Sequence, residues 1–156
     1  MDAGRDSKRA RYKYIAHVVA GSIGVILGIS ACCLFYSKYN NYKVGSLALV
    51  SSLFALVFLH LAISLRNDHR REFTRRKFSI YMVIGVVGTI AGVVSMVVYG
   101  VLGAKHHEKG VDLHGYYLGT VWGFMTFKWG LATFFSAWRS YKSYLSADDC
   151  TMIVNT

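Results

Sequence analysis

Apolar positions along this chain do not alternate with polar ones; they run together in four long blocks. The blocks cover Ile15–Tyr36, Val44–Leu65, Phe78–Ala104 and Tyr116–Trp138, and none contains an aspartate or a glutamate. Continuous runs of this kind predict helices, because membrane strands show a period of two. The shortest block has 22 residues, which at about 1.5 Å per residue gives about 33 Å, close to the roughly 30 Å of a hydrocarbon core. Backbone polar groups in lipid must be satisfied within their own segment. The expected fold class is therefore an all-α membrane protein, a four-transmembrane-helix bundle forming one domain over residues 1–156. The short connections between blocks predict antiparallel neighbours packed in sequence order. The first block is too long, and too closely followed by the second, for a cleaved signal peptide, so it is expected to stay as a signal anchor.

Composition changes this picture little, and charge adds an orientation. The chain is 54% hydrophobic and 17% charged, with no proline, and carries a formal charge of +10. That apolar fraction excludes a disordered chain, and three cysteines exclude a disulfide scaffold. Thirteen lysines and arginines flank the blocks on the side of residues 1–14, 66–77 and 139–156, against four on the other side. The positive-inside rule then places both termini and the Arg66–Lys77 loop in the cytoplasm. The positive charge is a topology signal with a possible contact to anionic lipid, and no nucleic-acid partner is expected. Glycines recur at four-residue spacing in Gly24/Gly28, Gly88/Gly92 and Gly115/Gly119/Gly123, a pattern that lets helix backbones approach closely within the bundle or, as the alternative, in a homo-oligomer.

Candidate chemistry begins with ionisable groups at membrane depth, where each is costly. Lys128 lies in the run Phe124-Met125-Thr126-Phe127-Lys128-Trp129, with no acidic residue in any block to pair with it. It either snorkels or bonds backbone carbonyls, or its counter-charge arrives on a ligand that carries carboxylates. His60 lies inside the second block; it either makes an interhelical hydrogen bond or ligates a metal or haem iron. His17, three residues into the first block, reads as a hydrated interfacial residue. His106, His107 and His114 cluster in the third loop without a zinc spacing. Trp122 and Trp129, seven residues apart on one helical face, could stack on a planar ligand or pack between helices. No paired carboxylates, hydrolase triad or phosphate loop is present, and no enzyme activity is expected.

The run Tyr116-Tyr117-Leu118, Val121-Trp122, Phe124 and Phe127-Lys128-Trp129 resembles the haem-responsive-gene (HRG) family of four-span haem transporters. The resemblance extends to the short first loop, the basic second loop and the histidines of the second span and third loop. It implies that haem is a transported substrate rather than a permanent cofactor. It also implies that His60 fills the place of the second-span histidine, with His107 as the exoplasmic-loop histidine and His106 and His114 as its neighbours. The family's cytoplasmic Phe-Ala-Arg-Lys-Tyr motif corresponds to Ser136-Ala137-Trp138-Arg139-Ser140-Tyr141, where Trp138 and Tyr141 stand in for the aromatic ends. Such a route would end in the cytosol, from an endosomal or lysosomal lumen or across the plasma membrane.

The chemistry of haem suits that set. Its iron takes axial donors, its ring takes aromatic faces and its propionates take cations. The expected sequence of stations is the His107 loop, His60, and the tail with Trp138, Arg139 and Tyr141, with Lys128 receiving a carboxylate. Two alternatives stay open at this point. One is a b-type cytochrome holding a permanent haem between His17 and His60, and the other is a structural tetraspan adaptor without cargo.

Overall fold

Apolar blocks without proline fold as unbroken helices. The computed structural model describes residues 3–66, 75–105 and 115–154. These form α1 (Ala3–Ser37), α2 (Tyr42–Arg66), α3 (Arg75–Lys105) and α4 (Tyr117–Val154), with no strand among the described residues. The fold is an all-α membrane bundle. Two helices overrun the expected blocks. α1 begins in the basic N-terminal segment, and α4 continues through the stretch expected to leave the membrane as a tail. No glycine or proline follows Gly130, so nothing in the sequence interrupts α4.

Two asparagines make the turn between α1 and α2. Asn40 adopts a positive φ of 48°, a conformation that asparagine tolerates better than most residues. Asn41 caps α2: its side-chain oxygen accepts from the Val44 N–H at 3.3 Å, and its own N–H donates to the Phe35 carbonyl at 3.0 Å.

Glycines set the two close helix pairings. Gly21 faces Leu59 and Gly28 faces Ser52 between α1 and α2. Between α3 and α4 the approach is backbone to backbone over the middle of the pair, and ring against glycine at the Gly103–Tyr117 and Gly119–Tyr99 contacts. A Cβ placed at Gly85 would lie 2.7 Å from the Phe134 nitrogen, one at Gly130 2.5 Å from the Thr89 nitrogen, and one at Gly123 2.9 Å from the Met96 nitrogen. Gly92 lies against the Phe127 backbone in the same series. Lipid gives helices no hydrophobic reason to associate, so this contact rests on van der Waals packing.

One expectation is corrected here. The helices do not pack in sequence order, because α2 sits against α4 and so places α4 between α2 and α3. The reason lies in side-chain volume. Phe58 and Ala55 of α2 bury against Trp129, and Leu61 buries with Ala137 of α4 and Phe78 of α3. The glycine face of α3 is already filled by α4.

α1 and α3 are the outer helices. Ile23, Ile26 and Leu27 on α1, with Val83, Ile90 and Val97 on α3, are each more than half exposed. Apolar faces of that extent call for lipid or a partner. Three stretches, Arg11–Ser37, Tyr42–Leu65 and Arg76–Lys105, are long and apolar enough to cross a membrane. α4 falls short by composition, with Lys128 at its centre and charges in its C-terminal half. Its first half nonetheless runs beside the third stretch from the Gly103–Tyr117 contact to the Gly85–Phe134 contact. The Thr133 hydroxyl donates to the Trp129 carbonyl at 2.8 Å and that of Thr126 to Trp122 at 2.9 Å, so both are satisfied within their own helix, whereas the buried Thr120 hydroxyl has no partner among the described residues.

Candidate functional site

Where the α3–α4 pair is closed by glycine, α1 and α4 are held apart. They meet at one level, where the Trp129 indole fills the space beside Gly24. Trp129 is buried, with its ring 5.5 Å from that of Phe58. Toward the ends bearing Arg11 and Arg139, the two helices enclose with α2 a groove of about 880 Å³, inside the roughly 300–1,000 Å³ range of small-molecule sites. α1 contributes Arg11, Tyr14 and His17; α2 contributes Phe58, Ala62 and Leu65; α4 contributes Ala132, Phe135, Ser136, Arg139 and Ser140.

Each contribution follows from helical spacing. Arg11, Tyr14 and His17 recur at three-residue steps, and Ala132, Ser136, Arg139 and Ser140 at steps of three and four, so each set lines one face. His17 is held in one tautomer, because its Nδ1 lies 2.6 Å from the Lys13 carbonyl oxygen. A carbonyl can only accept, so Nδ1 carries the hydrogen and Nε2 keeps the lone pair of the neutral ring. The imidazole stands 5.6 Å from the Phe58 ring at a tilt of 54°. Among the described residues no carboxylate lines the groove, while two guanidinium groups do. Chemically, this is a receptor for a flat apolar body with an anionic edge.

The sequence-predicted residues divide between this groove and other places. Arg139 lines it, and lines as well a second depression on the outer face of α4 with Phe134, Trp138 and Lys142. Trp138 is exposed there, 5.8 Å from the Phe134 ring. Tyr141 is turned away from both, half-buried with its ring 6.3 Å from that of Phe78 on α3. Pairing it with Trp138 for stacking is therefore not what the fold does. Lys128 is exposed, and its Nζ lies 4.7 Å from the centre of the Trp129 ring, a cation–π contact. Trp129 itself is a packing residue, closed in by Gly24 and Phe58. Trp122 is half-buried on α4. His106, His107 and His114 lie outside the described residues. Near that loop, Lys43 Nζ sits 5.7 Å over the Tyr116 ring, beside a hollow of about 370 Å³ that Tyr42 and Tyr99 also line.

His60 makes the interhelical bond that was one of its two expected roles. Its Nδ1 is 2.7 Å from the Tyr81 hydroxyl of α3, with the rings stacked at 6.2 Å. It is exposed and lies on the face of α2 opposite Phe58, Ala62 and Leu65, two residues being about 200° apart on a helix. His17 and His60 thus lie on opposite sides of α2, and the geometry does not form the paired clamp of a b-type cytochrome. Sequence reasoning passed over Arg11, Tyr14 and Phe135, and gave His17 only as a hydrated residue or as the partner of His60 on a permanent haem. The signal available was the three-residue spacing of Arg11, Tyr14 and His17, which had no meaning until α1 was placed opposite Arg139.

A family model described as "Haem-transporter, endosomal/lysosomal, haem-responsive gene" matches residues 78–129. The chain is also 25% identical over 126 residues to the "Heme transporter hrg-1" of Caenorhabditis elegans, a match covering 78% of this chain and 63% of that protein. It thus spans less than two thirds of that relative's length. No solved structure matches the chain. The family-model match takes in most of α3 and the first part of α4, ending on Lys128 and Trp129.

Proposed function

We propose, on the family assignment those matches support, that this chain is a carrier which moves haem across the bilayer into the cytosol. The observation that carries the proposal is the α1–α2–α4 groove. It joins imidazole, aromatic walls and two guanidinium groups in one space of about 880 Å³, with no carboxylate among its described lining residues. Haem presents the complementary set: iron that takes nitrogen donors, a flat apolar ring and two propionates.

In this reading all four helices span the membrane, with both termini and the groove mouth in the cytoplasm. Haem enters from the exoplasmic or endolysosomal side at the loop bearing His107, flanked by His106 and His114. It passes the membrane-depth groups His60 and Lys128, and it leaves past Arg139 and Trp138. His60 and the groove lie on different faces of α2, so the cargo changes sides of that helix between them. Each station has to bind moderately, because a very tight one would retain its cargo. Haem is substrate here and not a resident cofactor, and the protein acts as a transporter without catalysis.

The test is transport itself. Proteoliposomes carrying the full chain and an entrapped haem-accepting apoprotein should develop the acceptor's Soret band faster than empty vesicles. A rate equal to that of empty vesicles overturns the reading.

A further inference from the structure

The haem-transport reading leaves open which nitrogen meets the iron at the cytoplasmic end. We propose that the α1–α2–α4 groove is a metalloporphyrin-binding site in which His17 Nε2 is the single axial ligand and Arg11 and Arg139 hold the two carboxylates. This assignment rests on that reading and names residues of α1, a helix outside the 78–129 region of the family match.

Four observations carry it. The Lys13 carbonyl takes the Nδ1 hydrogen at 2.6 Å, which makes Nε2 the lone-pair nitrogen of the neutral imidazole. A histidine oriented through its other nitrogen is the usual arrangement of an imidazole that ligates metal. His17 is exposed within the groove and backed by Phe58 at 5.6 Å, so a porphyrin entering there meets an aromatic wall beside the donor. Arg11 lies six residues before His17, about 9 Å along the helix axis, comparable with the reach from a porphyrin's centre to its propionate carboxylates. Arg139 flanks the same space from α4.

The coordination is one-sided. His60, the other described imidazole at membrane depth, is bonded to Tyr81 on the opposite face of α2, and among the described residues no other His, Cys or Met lines the groove. One axial imidazole leaves the sixth position open and the haem exchangeable, which suits a cargo.

The full chain in detergent or nanodiscs is titrated with ferric protoporphyrin IX, with metal-free protoporphyrin IX as the second probe. After reduction of the bound haem with dithionite, the wild type should give a ferrous five-coordinate spectrum with an iron–histidine stretch in resonance Raman. His17→Ala should lose that stretch, and His17→Gly should recover an imidazole-ligated spectrum when free imidazole is added. His60→Ala should slow vesicle transport yet keep the iron–histidine stretch, because His60 lies against Tyr81 and outside the groove. Metal-free protoporphyrin should bind the wild type and His17→Ala alike, whereas Arg11→Gln or Arg139→Gln should weaken it about tenfold. An unchanged iron–histidine stretch in His17→Ala, or its loss in His60→Ala, overturns the assignment while leaving vesicle transport as a separate result. A wild type that transports haem but binds it with low-spin, two-histidine coordination also overturns it.

Discussion

The α3–α4 and α1–α4 contacts use the same helix in opposite ways. Toward α3, α4 presents Gly119 to the Tyr99 ring, and Gly123 and Gly130 to the α3 backbone at Met96 and Thr89. Toward α1 it presents Trp129, which keeps the helices apart and leaves a groove with Arg139 at its mouth. Residue size decides which side seals and which opens. A small residue removes the gap through which lipid or cargo could enter; a large one at a single level acts as a spacer and leaves room on one side of itself.

The contrast breaks most completely at the spacer. Trp129→Ala should remove about 3–5 kcal/mol of stability, read as a fall in the unfolding midpoint in detergent, because it empties the space between Phe58 and Gly24. Retained stability would show that the α1–α4 level is not structural. On the open side, Arg139→Glu should cut haem uptake at least about tenfold by replacing a cation with a like charge to the propionates, with unfolding unchanged. Equal uptake would take Arg139 out of the groove's chemistry. On the closed side, Gly92→Leu should cost about 1–3 kcal/mol by forcing α3 from the Phe127 backbone, measured by the same unfolding assay. The smallest effect is expected from Tyr81→Phe, which removes the hydrogen bond of His60 and should cost about 0.5–1.5 kcal/mol. A larger loss would make the α2–α3 contact as important as the glycine pairing.

Much of the bundle was legible in the chain because lipid imposes one rule on every residue. Four acid-free blocks predicted four helices, and each block lies within one of them but for Tyr116 at the start of the fourth. Gly88, Gly92, Gly119 and Gly123 at four-residue spacing pointed to close backbones, and all four lie in contacts within the chain. Neighbour order was not legible, since a preference of α2 for α4 depends on how Phe58 and Trp129 share volume, not on either residue alone. The site was half legible for the same reason. Arg139 announced itself as a cation just past an aromatic stretch. His17 looked like a wetted residue near a helix start, because its significance comes from α4 lying antiparallel across from it. Tyr141 misled, since counting along one strip of sequence cannot show that its ring turns to Phe78.

The absence of proline has its own consequence for recognition. Every described stretch at membrane depth is an uninterrupted helix, so its main-chain amides and carbonyls are committed to one another. Carriers with broken helices offer freed peptide groups to their ions and substrates. Here the selectivity of the described membrane core has to be written wholly in side chains, and substitution one position at a time can in principle read all of it.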